Sequence, residues 1–147
     1  MLLQLFLGGL LILFHTLIAG AGYLLLERVL WRVQPWVMRP RHGPKLLLLM
    51  SASVVWILMI VTAGVWLWAI ALRLLGVFLT MEASVYFSIV AFTTLGFGDI
   101  LLPVEWRLLA GMSAVNGLLM IGLLTAMLVE VLRRVRNIQT EGRGWVS

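Results

Sequence analysis

The chain contains no cysteine among its 147 residues. Disulfides and thiolate metal sites are therefore excluded, and no redox compartment can be read from thiol usage. Charge is scarce too: 12% of residues are Asp, Glu, Lys or Arg, against 63% hydrophobic. A soluble domain carries about 25% charged and 45–50% apolar residues, so the composition is that of an integral membrane protein. The six carboxylates are scattered, and no paired His or Cys constellation offers a nucleophile or a metal cage. Gly96-Phe97-Gly98 lacks the preceding strand and the third glycine that a nucleotide loop needs. An enzyme is not expected, and no cofactor is.

The net charge of +5 would suit a nucleic-acid binder, but its distribution argues against that partner. Of eleven Lys and Arg, five lie in 28–45 and four in 133–143, leaving only Arg73 and Arg107 elsewhere. Basic residues collect on the cytoplasmic flanks of membrane helices. Three uncharged runs, Leu2 to Leu26, Leu46 to Leu72 and Leu108 to Val129, are each long enough to cross as helices. Three crossings with both basic segments in the cytoplasm place the N-terminus outside. The first run lacks a basic n-region and exceeds the ~7–15 apolar residues of a signal peptide, so it reads as a retained outer helix. His15 and Thr16 lie near its middle. A histidine there is either a proton or pH sensor or a neutral ring bonded to a neighbouring helix, and the second reading is preferred. Glu27 to Lys45, with Pro35, Pro40 and Pro44, reads as a basic elbow: Leu24 to Trp36 is consistent with the first helix running on into the interface, and Pro35 and Pro40 disfavour one unbroken helix past that point. Trp31 and Trp36 suit the headgroup level, as do Trp66 and Trp68 at the far end of the second run. The elbow is a candidate for contact with anionic lipid.

Between the second and third runs, Glu82 to Phe92 is apolar but too short to span. It leads into Thr93-Thr94-Leu95-Gly96-Phe97-Gly98-Asp99. Two glycines around an aromatic permit backbone conformations closed to residues with a Cβ. Alternating left- and right-handed conformations through Leu95, Gly96, Phe97 and Gly98 would turn successive carbonyl oxygens to one side. Four copies about an axis would stack rings of oxygens able to replace the water shell of a small cation.

This segment resembles the selectivity filter of potassium channels, usually Thr-Val-Gly-Tyr-Gly-Asp, with Leu95 in place of the valine and Phe97 in place of the tyrosine. The order helix, short helix, filter, helix from about Leu46 to Arg134 resembles the pore module of that family. The resemblance implies an all-α membrane protein with three transmembrane helices, a re-entrant pore helix and a filter loop, assembled as a homotetrameric pore. It implies K+ sites at Thr94, Leu95, Gly96 and Phe97, with K+ the permeant ion. Thr93, Gly98, Asp99 and the Tyr86-Phe87 pair would support the filter, the pair standing where the family has an aromatic cuff. Val90 stands where some members carry a carboxylate. Gly117 occupies the place of the inner-helix gating hinge, and Asn116, Met120 and Thr125 are candidates for the cavity wall, Asn116 having as its alternative a bond to a neighbouring helix.

The resulting division is an outer helix at 1–26, a basic elbow at 27–45, and a pore domain at 46–134. Within the pore domain the first helix is 46–72, the pore helix 82–92, the filter 93–99 and the inner helix 106–132. A polar tail at 135–147 follows, too short for a ligand-binding domain. The compact length suggests a prokaryotic inner membrane. A potassium-selective channel is the expected function, with a non-selective monovalent cation channel or a non-conducting partner subunit as its alternatives.

Overall fold

The structure, a computed structural model, describes residues 1–37 and 42–143. Its elements are α1 (Leu2–Val37), α2 (His42–Leu74), α3 (Met81–Phe92), a single 3-10 turn at Val104–Trp106, and α4 (Arg107–Arg143). The described residues contain no strand. Helices long and apolar enough to cross a membrane occupy Leu2–Val33 and Leu47–Leu74, and a third such stretch runs over Val104–Arg134. With 12 residues, α3 is about 18 Å long and falls short of a bilayer's hydrocarbon core.

The helices extend into the basic segments. α1 enters the basic segment as far as Val37, with Pro35 inside its last turn. The helix ends two residues later, so the proline's missing N–H interrupts only the final turn. α2 begins at His42 and places Pro44 in its first turn, where a backbone N–H has no intrahelical partner anyway. Arg39, Pro40 and Arg41 of the expected elbow lie outside the described residues. α4 continues to Arg143, through most of the segment read as a polar tail, whose residues 144–147 also lie outside.

Each connection has a local cause. α2 ends at Gly76, whose φ of 70° lets the Val77 N–H reach the Leu72 carbonyl and the Gly76 N–H reach that of Arg73. This is the Schellman arrangement. Thr80 starts α3 as its N-cap, its hydroxyl accepting from the Ala83 N–H at 3.2 Å, with Glu82 in the positively polarised first turn. The start of α4 is capped from another helix: the Gln4 carboxamide oxygen accepts from the Leu109 N–H at 3.3 Å, and its nitrogen donates to the Glu105 carbonyl.

α1 packs chiefly along α4 and also on α2, while α3 lies against α2 and α4. Apolar helices in lipid gain little from burying apolar area against one another, so close approach at small residues matters more. Four glycines supply it. A Cβ at Gly8 would strike Met112, one at Gly22 would strike Ile60, one at Gly64 would fall inside the His15 ring, and one at Gly117 would strike the backbone of Phe92. The outer helix is thus seated on its own chain. Two apolar clusters result. One joins Leu26, Ile60, Phe92, Met120 and Val131. The other surrounds Trp68 with Leu72, Phe87, Leu102 and Leu109. Trp68 is fully buried there, not in an interfacial belt, whereas Trp66 is 45% exposed.

At the other end of the bundle Glu27 of α1 and Arg134 of α4 form an ion pair at 2.9 Å, and the Arg134 guanidinium lies 5.8 Å from the centre of the Trp31 ring. Both charged side chains are about one-third exposed. A pair in that setting contributes up to about 1 kcal/mol, with a similar amount from the cation–π contact. Glu27→Gln and Arg134→Gln should each lower the melting temperature of the purified protein by a few degrees. The double variant should be no worse than the Arg134→Gln single, because the two act on one interaction; additive losses would show that they do not.

Candidate ion pathway

The site begins where α3 stops. Thr93 caps the helix, its N–H bonded to Ile89 and its hydroxyl donating to the Ile89 carbonyl at 2.8 Å. The Thr94 N–H then reaches the Ala91 carbonyl and the Leu95 N–H that of Val90. This repeats the Schellman closure of α2, but with Thr94 at φ 58° in the place usually taken by glycine. A β-branched residue in the left-handed region costs on the order of 1–3 kcal/mol and persists only where its surroundings impose it.

Beyond Thr94 the sign of φ alternates. Gly96 (58°) and Gly98 (79°) are positive, and Leu95 and Phe97 are not. No regular secondary structure forms, and every residue from Thr93 to Asp99 is exposed in the single chain, including the large side chains Leu95 at 57% and Phe97 at 67%. The segment returns toward the start of α3 through Asp99, whose carboxylate accepts from the Tyr86 hydroxyl at 2.6 Å. That bond holds the Asp99 carboxyl below its ordinary value and raises the Tyr86 phenol above its own.

The two aromatics expected to act together diverge. Tyr86 turns to Asp99, while Phe87 is buried beside Trp68 and lies 5.5 Å, ring centre to ring centre, from Phe78. Ser84 and Ser88 follow the buried face of α3 toward Phe92. Val90 is buried in the position read as lacking the family's carboxylate.

Gly117 meets the end of α3 directly. A Cβ there would fall on the Phe92 carbonyl oxygen and 2.6 Å from its carbon, so the glycine is a contact surface for the last residue of α3. α4 is one continuous helix through this point. Asn116 and Met120 were candidates for a cavity wall; both are buried within the chain, at 0% and 2% exposure, on the face of α4 that meets the other helices. Helical phase explains the placement, since both lie on the side of α4 where Gly117 meets Phe92. Thr125 lies on the exposed side of α4, its hydroxyl donating to the Ile121 carbonyl at 2.7 Å.

The interior of the bundle holds a group that charge patterning could not place. His15 of α1 is completely buried, its Nε2 3.2 Å from the Ile60 carbonyl of α2 and its Nδ1 3.0 Å from the Asn116 amide nitrogen of α4. The carbonyl can only accept and the amide nitrogen can only donate, so the partners assign a neutral ring protonated on Nε2. The preferred reading of His15 as a bonded ring matches this geometry. The ring sits in the space left by Gly64 and 5.8 Å from the Phe92 ring. Its partner Asn116 keeps a buried Oδ1 without a hydrogen bond, as do Ser88 Oγ, Ser113 Oγ and Trp68 Nε1. Sequence reading missed Asn116 as a partner of His15 and Asp99 as a partner of Tyr86. Separations of 101 and 13 residues leave no periodic trace. Among the described residues no group of His, Asp and Glu could hold a metal ion.

Asp99 has a depressed pKa, so its contribution is present above the ordinary 3.8 and lost as pH falls through the lower folded value. Tyr86 is raised, so its contribution is present below the ordinary 10.0 and lost as pH climbs through the higher folded value. Tyr86→Phe should return the Asp99 carboxyl toward its usual range, read by infrared titration of the carboxylate band. No upward movement would show that the hydrogen bond does not set it. Gly117→Ala should cost about 1–3 kcal/mol through overpacking against Phe92, seen as a lower melting temperature whether or not the helix bends there.

The profile of the ion channel family matches residues 48–134, a stretch running from α2 through α3, the exposed loop and α4 as far as Arg134, with α1 outside it. No curated protein and no solved structure matches the chain. With a match that covers more than half of its length, across the segment where φ alternates, the chain belongs to the ion channel family.

Proposed function

We propose that this protein is a potassium-selective channel, in which four copies surround an axis lined by residues 94–97. The observation that carries the reading is the uncovered, irregular backbone of Thr93–Asp99 with its alternating φ signs. Backbone without regular hydrogen bonds is not tolerated against lipid, and is tolerated where protein buries it or it lines a water-filled path. One chain leaves the loop bare, and closed rotational symmetry among identical copies would cover it. Leu95 and Phe97 would then be buried by neighbouring copies, and the carbonyls from Thr94 to Phe97 would face the axis.

In this reading α3 is a re-entrant helix whose negatively polarised C-terminal end favours a cation below the loop. Ions shed water, bind in a row at Thr94, Leu95, Gly96 and Phe97, and leave by mutual repulsion. The Tyr86–Asp99 bond ties the outer end of the row to α3. The N-terminus lies outside, and the basic ends of α1, α2 and α4 lie in the cytoplasm near anionic headgroups. Gly117 serves as a hinge only if the Phe92 contact loosens when α4 bends, so an alanine there tests packing and hinge together. Thr125 is the one of the three wall candidates that lies on the exposed side of α4.

The test is the reversal potential of the purified protein in a planar bilayer with K+ on one side and Na+ on the other. A selective filter gives a reversal near the potassium equilibrium potential. Current reversing near zero would replace the proposal with a non-selective cation channel, consistent with Leu95 and Phe97 having relaxed the filter. Absence of current from a demonstrated tetramer, also in a variant such as Gly117→Asp intended to splay the inner helices, would favour a non-conducting subunit.

A further inference from the structure

α1 lies outside the segment that matches the ion channel family, yet it delivers one polar side chain to the point where α2, α3 and α4 meet. We propose that His15 is a positioning residue for the cation row, holding the last turn of α3, and with it the base of the loop, from outside the pore module. The inference rests on the reading of residues 94–97 as a cation-binding row and assigns that row a support which the matched segment does not contain.

Three contacts fix the ring. Its Nε2–H donates to the Ile60 carbonyl, its Nδ1 accepts from Asn116, and its ring meets that of Phe92 in a tilted contact, centres 5.8 Å apart. The missing Cβ of Gly64 gives the ring room, since a Cβ there would lie 2.7 Å from Nδ1 and closer still to Cε1 and Nε2. Asn116 is the residue before Gly117, and Gly117 carries the Phe92 carbonyl. His15 therefore touches one partner of that contact, the side chain of Phe92 on α3, and the residue next to the other, Asn116 on α4. Thr93 follows Phe92 directly, and the strained Thr94 comes next. A displacement of Phe92 has no flexible segment in which to be absorbed before it reaches the first carbonyls of the row. The position behind the loop is held by Val90, an apolar side chain with no hydrogen bond to offer. A fully buried side-chain hydrogen bond, His15 with Asn116, lies beside Phe92 and is supplied from α1.

A purely structural role for His15 and a positioning role differ in what a cation does. An ion bound to the folded assembly raises the melting temperature according to its affinity. The experiment melts the full-length protein in detergent over a series of K+ and Na+ concentrations, with N-methylglucamine chloride holding ionic strength constant. The wild type should show a cation-dependent increment. In His15→Leu the half-stabilising cation concentration should rise about fivefold or more, in proportion to a buried membrane hydrogen bond. His15→Gln, which can still donate to Ile60 and accept from Asn116, should keep most of the wild-type affinity. Should His15→Leu fail to fold, Gly64→Ala displaces the ring without removing it and should weaken cation affinity in the same direction. Equal loss of melting temperature with and without cation, at unchanged half-stabilising concentration, would overturn the proposal and leave His15 as a packing residue of α1. A wild type with no increment from either cation would remove the cation-row reading itself, and the proposal with it.

Discussion

At Gly117 the last residue of α3 lies against α4 with no side chain between them, and the placement of the loop follows from that approach. The loop has no strand to hold it and no apolar cover within the chain. It is anchored at one end by the helix it leaves and at the other by the Tyr86–Asp99 hydrogen bond. α3 is too short to span and does not fix its own depth, so its end must be set by neighbours. In lipid the driving force for that seating is fit and hydrogen bonding rather than burial of apolar surface. A glycine that admits a carbonyl and a buried histidine beside it supply both.

The rest of the bundle repeats the device. Gly8, Gly22 and Gly64 each admit a specific side chain from a facing helix. α1 consequently forms part of the core of the chain, bonded to α4 at Gln4, His15 and Glu27 along its length. These contacts fall on both sides of Gly117, so α1 spans the place where α4 would bend. Any opening motion of α4 would have to move α1 or part from it. α1, outside the segment that matches the ion channel family, is in this respect mechanically tied to it.

Much of this was legible in order and spacing, for identifiable reasons. Uncharged runs of more than twenty residues have few physical uses outside a membrane, and three of them gave the spanning helices. The glycines at 96 and 98 announced positive φ because little else adopts it cheaply, and both have it. Thr94 was not legible in this way, since a β-branched residue is among the poorest predictors of a left-handed conformation. The basic residues after Leu26 did not stop α1, and Pro35 falls in its final turn, where a proline disturbs little.

What the sequence determined by itself is the class of molecule. The scarcity of charge, the three apolar runs and the short helix before a glycine-interrupted segment prescribe a membrane bundle with an irregular loop inside it. These are properties of local composition and period, and they need no partner. Which face of α4 turns inward was not determined, because both faces of a membrane helix are apolar and the pattern carries no amphipathic sign. That choice placed Asn116 and Met120 inside the chain, where a wall position was expected. It was made by contacts between residues about a hundred positions apart, His15 with Asn116 and Glu27 with Arg134, and by the match of a glycine on one helix to a backbone carbonyl on another. Only the tertiary structure decides such pairings, because their free energy exists only once the helices have met.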